Sequence, residues 1–147
     1  MDYKRLALAA VVTWVVDSIY ALVVWMNMLG GEFARHPGVF RSEAAMNANT
    51  PLMLAGGLLA MFALVYMYAK GYEGGSGVQE GLRFGLLLAI FMTGFVSIFL
   101  YASLNVDGRI GVLTSIASFV ELLLVGAVIG VMYKPAARPS AARAARV

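Results

Sequence analysis

Residues 110–133 read IGVLTSIASFVELLLVGAVIGVMY, a run with a single charged side chain, Glu121. About 20 consecutive apolar residues suffice for a helix to cross the roughly 30 Å hydrocarbon core of a bilayer. No polar face recurs at the helical period, as it would on a surface helix of a soluble domain. The run therefore reads as a membrane span. Three further runs have the same character, at residues 6–28, 51–70 and 82–103.

Composition agrees with this reading. Of the 147 residues, 61% are hydrophobic and 13% charged, whereas a soluble domain carries about 25% charged residues. The absence of cysteine excludes disulfides, thiolate chemistry and cysteine-held metals. The one histidine, His36, lies between apolar runs. Neither a bis-histidine haem nor a multi-histidine zinc site can form within one copy. No cofactor and no metal is expected.

The expected fold is an all-α membrane protein, a four-transmembrane-helix bundle running up-down-up-down within residues 1–133, followed by a basic tail at 134–147. The first span competes with a signal peptide. No small-x-small cleavage pattern follows it, and its apolar run continues past Asp17 to full bilayer length, so a retained helix is expected. Pro51 suits the first turn of the second helix, with Asn49 or Thr50 as its cap. Ser76-Gly-Val-Gln79 has capping-box spacing, so the third helix should start in water and enter lipid near Phe84. The short turn at 105–109 makes the third and fourth spans an antiparallel hairpin. Residues 30–50 should lie along the membrane surface, with a helical turn beginning at Ser42.

Basic residues set the expected orientation. Lys4, Arg5, Lys70, Arg83, Lys134, Arg138, Arg143 and Arg146 fall on one side, against Arg35, Arg41 and Arg109 on the other. Positive charge accumulates on the cytoplasmic side, so both termini are expected there. The spaced arginines of the tail are read as part of this topology signal, and no nucleic-acid partner is expected.

The segment Tyr68-Ala-Lys-Gly-Tyr-Glu-Gly74, followed by Glu80-Gly-Leu-Arg-Phe-Gly85, resembles the second loop of a family of small bacterial four-span inner-membrane proteins. That family has arginine where Lys70 stands here. The resemblance covers the centre of the chain closely and the outer spans by hydropathy. It implies the four-span architecture and a bacterial inner membrane, and it implies no activity.

Chemistry points to two intramembrane carboxyl groups. Asp17 and Glu121 are each the twelfth residue of their spans, which puts both near the bilayer midplane on antiparallel helices. The first and fourth helices of such a bundle are neighbours, so the two acids can face each other. A charge at that depth costs at least ~2.5–3.5 kcal/mol, so each acid must be neutral, paired or hydrated. The basic residues of the spans, Lys70 and Arg83, sit at their ends, so none lies beside the acids to pair with them. Helical spacing sets Thr13 and Tyr20 beside Asp17, and Thr114 and Ser118 beside Glu121. Thr93 and Ser97 on the third helix can converge on the same place. The group reads either as a proton or cation site or as a neutral, hydrogen-bonded packing device. The second helix, with Gly56, Gly57 and Ala60, is expected to pack closely behind it.

Gly126-Ala-Val-Ile-Gly130 is a GxxxG pattern, and Gly81 with Gly85 forms a second. At about 100° per residue, Gly126 lies about 140° and Gly130 about 180° around the helix from Glu121. With Glu121 facing inward, this glycine face is expected to point outward and to meet a second protein or a second copy. The leading expectation for function is an accessory or structural subunit of a larger membrane complex, acting by helix packing. The alternative is a small proton- or cation-coupled transporter or channel using the midplane acids. No nucleophile, base and oxyanion donors assemble from these residues, so no enzyme is expected.

Overall fold

The computed structural model describes residues 2–133, and the basic tail at 134–147 lies outside them. Those residues are helical throughout apart from caps and turns. Four helical stretches, Tyr3–Met28, Thr50–Gly71, Gly77–Ser103 and Gly108–Met132, are long and apolar enough to cross a membrane. At about 1.5 Å per residue they measure roughly 33–41 Å. The protein is a multi-pass, all-helical membrane protein.

The first span opens as α1 (Tyr3–Tyr20). The Asp2 carboxylate caps it, accepting from the Lys4 and Arg5 amides at 3.1 and 3.2 Å. The helix widens into π-helical geometry over Ala21–Met28, a change with no signal in the sequence. Asn27 Nδ2 donates to the Leu22 carbonyl at 2.6 Å, adding a donor to backbone at a depth where an unmet carbonyl is costly. Two short helices follow, α2 (Gly30–Ala34) and α3 (Glu43–Ala48). Ser42 caps α3 through the Ala45 amide at 3.3 Å. The second span, α4 (Thr50–Gly71), has Pro51 in its first turn. Asn49 precedes it without a side-chain cap and turns back instead to the Ala45 carbonyl at 2.8 Å.

The third span begins as α5 (Gly77–Met92), passes a π-helical turn at Thr93–Ser97 and ends as α6 (Ile98–Ser103). Ser76 Oγ caps α5 at the Gln79 amide, 3.3 Å. The reciprocal bond comes from Glu80, not Gln79, and reaches the Gly75 amide at 3.2 Å. The fourth span is α7 (Gly108–Met132), capped by Asp107 at the Ile110 amide, 3.0 Å. That amide is also the main cause holding the Asp107 carboxyl below its usual range.

The most extensive interface joins α5 to α7, and α1 packs on both α4 and α7. Leu6, Ala9 and Ala10 of α1, Met61, Val65 and Tyr68 of α4, and Val125, Ile129 and Tyr133 form the core at the end where the described residues begin and finish. The spans thus follow one another in space as second, first, fourth and third. The α4–α5 pair makes no extended interface. At the terminal end the Tyr68 ring meets Phe84 and Tyr133, with centroids 5.6 and 6.5 Å away.

This arrangement corrects two expectations. The glycine face of α7 is interior. A Cβ added at Gly126 would come within 2.6 Å of Gly85 Cα, and one at Gly130 within 2.8 Å of Gly81 Cα. Gly81, Gly85, Gly126 and Gly130 are all buried, so the two GxxxG patterns pack on each other within the chain. The physical reason is that α7 has neighbours on both sides: Glu121 looks toward α1, and the face about 140–180° away meets α5. Contacts that far apart on one helix set α1 and α5 on different sides of α7, while Tyr68 of α4 meets Phe84 of α5 and donates to the Gly77 carbonyl at 3.4 Å, so α4 and α5 touch near their connecting loop. Second, α4 does not pack closely through all three of its small residues. Only Gly57 has a neighbour, Trp14 of α1, 3.5 Å from an added Cβ, while Gly56 meets nothing within 4 Å and Ala60 is exposed. The Trp14 indole fills that space and donates to the Leu54 carbonyl at 3.0 Å.

Candidate functional site

The buried residues Leu6, Ala9, Ala10 and Thr13 form a stripe along α1, and Asp17 continues it one turn further. On α7 the stripe Tyr133, Ile129 and Val125 leads at four-residue steps to Glu121. Antiparallel packing of these two stripes brings the Asp17 and Glu121 carboxyls close enough to interact. A carboxylate carries no donor, so a hydrogen bond between them needs a proton on one of the two groups. Both side chains are half-buried.

A third member was not legible as part of the site. Trp25 reads in the sequence as an interfacial anchor, yet its Nε1 donates to Glu121 Oε1 at 3.0 Å. Trp25 lies in the π-helical part of the first span, where the changed pitch overrides side-chain positions counted at the α-helical period. Its ring also stacks on Phe33 of α2, with centroids 6.4 Å apart. Glu121 therefore has one fixed donor, the indole, which no accessible pH removes.

The expected hydroxyls divide. Tyr20 donates to the Ala117 carbonyl at 2.7 Å, one turn from Glu121 on α7. Its oxygen braces the two helices beside the acids without touching either. Thr114 belongs to a separate group, seven residues from Glu121. Its hydroxyl reaches the Ile110 carbonyl at 2.8 Å and pairs with the Tyr101 hydroxyl. Thr93, Ser97 and Ser118 make no side-chain hydrogen bond among the described residues, and the first two sit on the π-helical turn of the third span. Thr13 is fully buried, and its hydroxyl has no partner.

At the far end of the first and fourth spans, ion pairs tie α2 to the start of α7. The Glu32 carboxylate lies 3.1 Å from Arg35 and 3.2 Å from Arg109, and His36 Nε2 lies 3.4 Å from Asp107 Oδ2. At the terminal end, the residues of the resemblance are consumed by structure. Tyr72 donates to the Gly75 carbonyl at 2.6 Å, Arg83 pairs with Glu73 at 3.0 Å, and Gly81 and Gly85 take part in the α5–α7 contact. Glu73 and Arg83 are both largely exposed, and such surface pairs contribute little to stability. This second loop is a clamp between α4 and α5.

Comparison with protein-family models, curated proteins and solved structures returns no match. Among the described residues no cluster of three or more His, Asp or Glu could hold a metal ion. The midplane acids are the place where, among the described residues, carboxyl groups from two spans meet.

Proposed function

We propose that this chain is a small proton-coupled membrane transporter in which Asp17 and Glu121 form one proton-loading site. The observation that carries this reading is the meeting of the two carboxyls near the middle of spans one and four, with the Trp25 indole on Glu121 at 3.0 Å. Carboxyl pairs sharing one proton change their charge by one unit when it leaves, and intramembrane acids commonly serve as proton relays. The Trp25 indole keeps one donor on Glu121 throughout the cycle. The Lys and Arg residues of the spans lie only near their ends, so no internal cation competes for the pair. The reading invokes no enzyme chemistry and places the protein in a bacterial inner membrane with both termini cytoplasmic.

The functional test is proton flux. Purified protein in liposomes should dissipate an imposed pH gradient faster than empty vesicles. Equal rates for protein-containing and empty vesicles, with and without sodium, potassium or candidate substrates, would overturn the reading. The orientation has its own test. A reporter fused to the C-terminus that folds only in the cytoplasm should be active, and activity from an export-dependent reporter instead would reverse the topology.

A second reading, an accessory subunit of a membrane complex, draws on the exposed apolar surface of the second and third spans. Leu52, Leu59, Leu87, Phe91 and Phe95 are exposed on these spans, although lipid covers such surface equally well. Mass identification of proteins that co-purify in mild detergent tests it, and a chain that purifies alone would remove it.

A further inference from the structure

Thr13 Oγ1 is the one buried side-chain polar atom without a hydrogen-bond partner among the described residues. Other hydroxyls of the spans show how unusual this is. Thr114 and Ser115 return to the carbonyls four residues back, Ile110 and Gly111, at 2.8 and 2.7 Å. Thr13 does not take the corresponding Ala9 carbonyl, although it lies in regular α-helix. Leaving a buried donor unmet is costly, so its position calls for a partner that arrives in another state of the site.

Asp17 lies four residues further along the same helix, where Cβ atoms are about 5–6 Å apart. Side chains in a helix lean toward its N-terminus, so Asp17 leans over the turn that carries Thr13. The Asp17 carboxyl interacts across the interface with Glu121. A hydrogen bond between them lasts only while the pair holds a proton. Once the proton leaves to water, two like charges face each other and must separate or find new donors. Glu121 already has the Trp25 indole at 3.0 Å. Asp17 has no such donor, and Thr13 has a hydroxyl to give.

We propose that Thr13 is the second partner of Asp17. When the carboxyl pair releases its shared proton, the Asp17 carboxylate turns from Glu121 and accepts the Thr13 hydroxyl hydrogen. Each anion then has its own donor, Trp25 for Glu121 and Thr13 for Asp17. This inference rests on reading Asp17 and Glu121 as a proton-loading pair. The titratable groups near it are few. Besides Asp17, α1 supplies Tyr20, and α7 supplies Glu121. On α4 the nearest are Tyr66, Tyr68 and Lys70 at its far end. On the third span they are Glu80, Arg83 and Tyr101, all near its ends.

The test is a pH titration of the infrared carbonyl stretch of protonated carboxyl groups, on full-length protein in lipid nanodiscs. Wild type, Thr13→Val, Thr13→Ser and Glu121→Gln are compared, with melting temperature as the check on folding. Thr13→Val should move the pH at which the pair loses its proton upward by roughly one to two units, the worth of a hydrogen bond to a charged group. Thr13→Ser should titrate as wild type. If Thr13→Val does not fold, Thr13→Ala removes the hydroxyl without adding volume and should give the same shift. An unchanged midpoint in the folded hydroxyl-free variant overturns the role of Thr13 while leaving the pair intact. Equal shifts in the Ser and Val variants overturn it as well, since packing alone would account for them. A wild-type protein with no titrating band that Glu121→Gln removes defeats the proton-loading pair itself, and this inference with it.

Discussion

Gly126→Leu will not yield a stably folded protein. The obstacle to a side chain at this position is the backbone of the third span, with Gly85 Cα 2.6 Å and the Gly85 nitrogen 2.7 Å from an added Cβ. Overpacking a well-filled core costs about 1–3 kcal/mol when flexible side chains can move aside. Here the atoms that must yield belong to a helix axis, so even Gly126→Ala should fall at the upper end of that range, and leucine beyond it. Separating α5 from α7 would dismantle the most extensive interface of the fold, in a solvent where close van der Waals contact is the main attraction between helices. The expected result is strongly reduced protein in the membrane fraction and a large fall in the denaturing-detergent midpoint. Gly130→Leu should behave alike, because Gly81 Cα lies 2.8 Å from its added Cβ. A Gly126→Leu variant that unfolds at the wild-type midpoint while losing only self-association would return the glycine face to the outside of the molecule.

Glu121→Gln should reduce proton flux to the level of empty vesicles while the protein still inserts and folds. Glutamine keeps the length of the side chain, an acceptor for the Trp25 indole and a donor for Asp17. The cost in stability should be about 1 kcal/mol or less, typical of a hydrogen bond between membrane helices. What it removes is the ability to share a proton with a second carboxyl. Asp17→Asn should have the same two consequences, small for the fold and complete for flux. Flux that persists in both amide variants would move the proton path away from this pair. A fold lost in both would make the acids a packing device.

The architecture was legible because lipid imposes a simple demand. Four runs of bilayer length between polar turns leave few alternatives, and Ser42, Ser76 and Pro51 mark helix starts that the structure places within a residue of the expected positions. The pairing of Asp17 with Glu121 was also within reach of the sequence, as two antiparallel midplane acids on neighbouring helices. Three features were not. The π-helical segments at Ala21–Met28 and Thr93–Ser97 contain no proline, and they change which side chains share a face. Trp25 was consequently read as an anchor. The direction of the Gly126 face failed for a different reason. Helical angles place Gly126 relative to Glu121, but they do not say whether a neighbour or lipid lies on the far side. That depends on which helices flank α7, and the glycine contact between α5 and α7 puts the third span on that side.

A proton held between Asp17 and Glu121 is the centre of this account, and infrared difference spectroscopy reads it directly. The spectrum of wild type minus Glu121→Gln at neutral pH, in lipid nanodiscs, isolates the carboxyl vibrations of the pair. A shared proton predicts a carbonyl stretch of a protonated carboxyl group, broadened by strong hydrogen bonding, which disappears when either acid is replaced by its amide. A difference spectrum containing only carboxylate bands would mean that both groups are ionised and apart, and would contradict it.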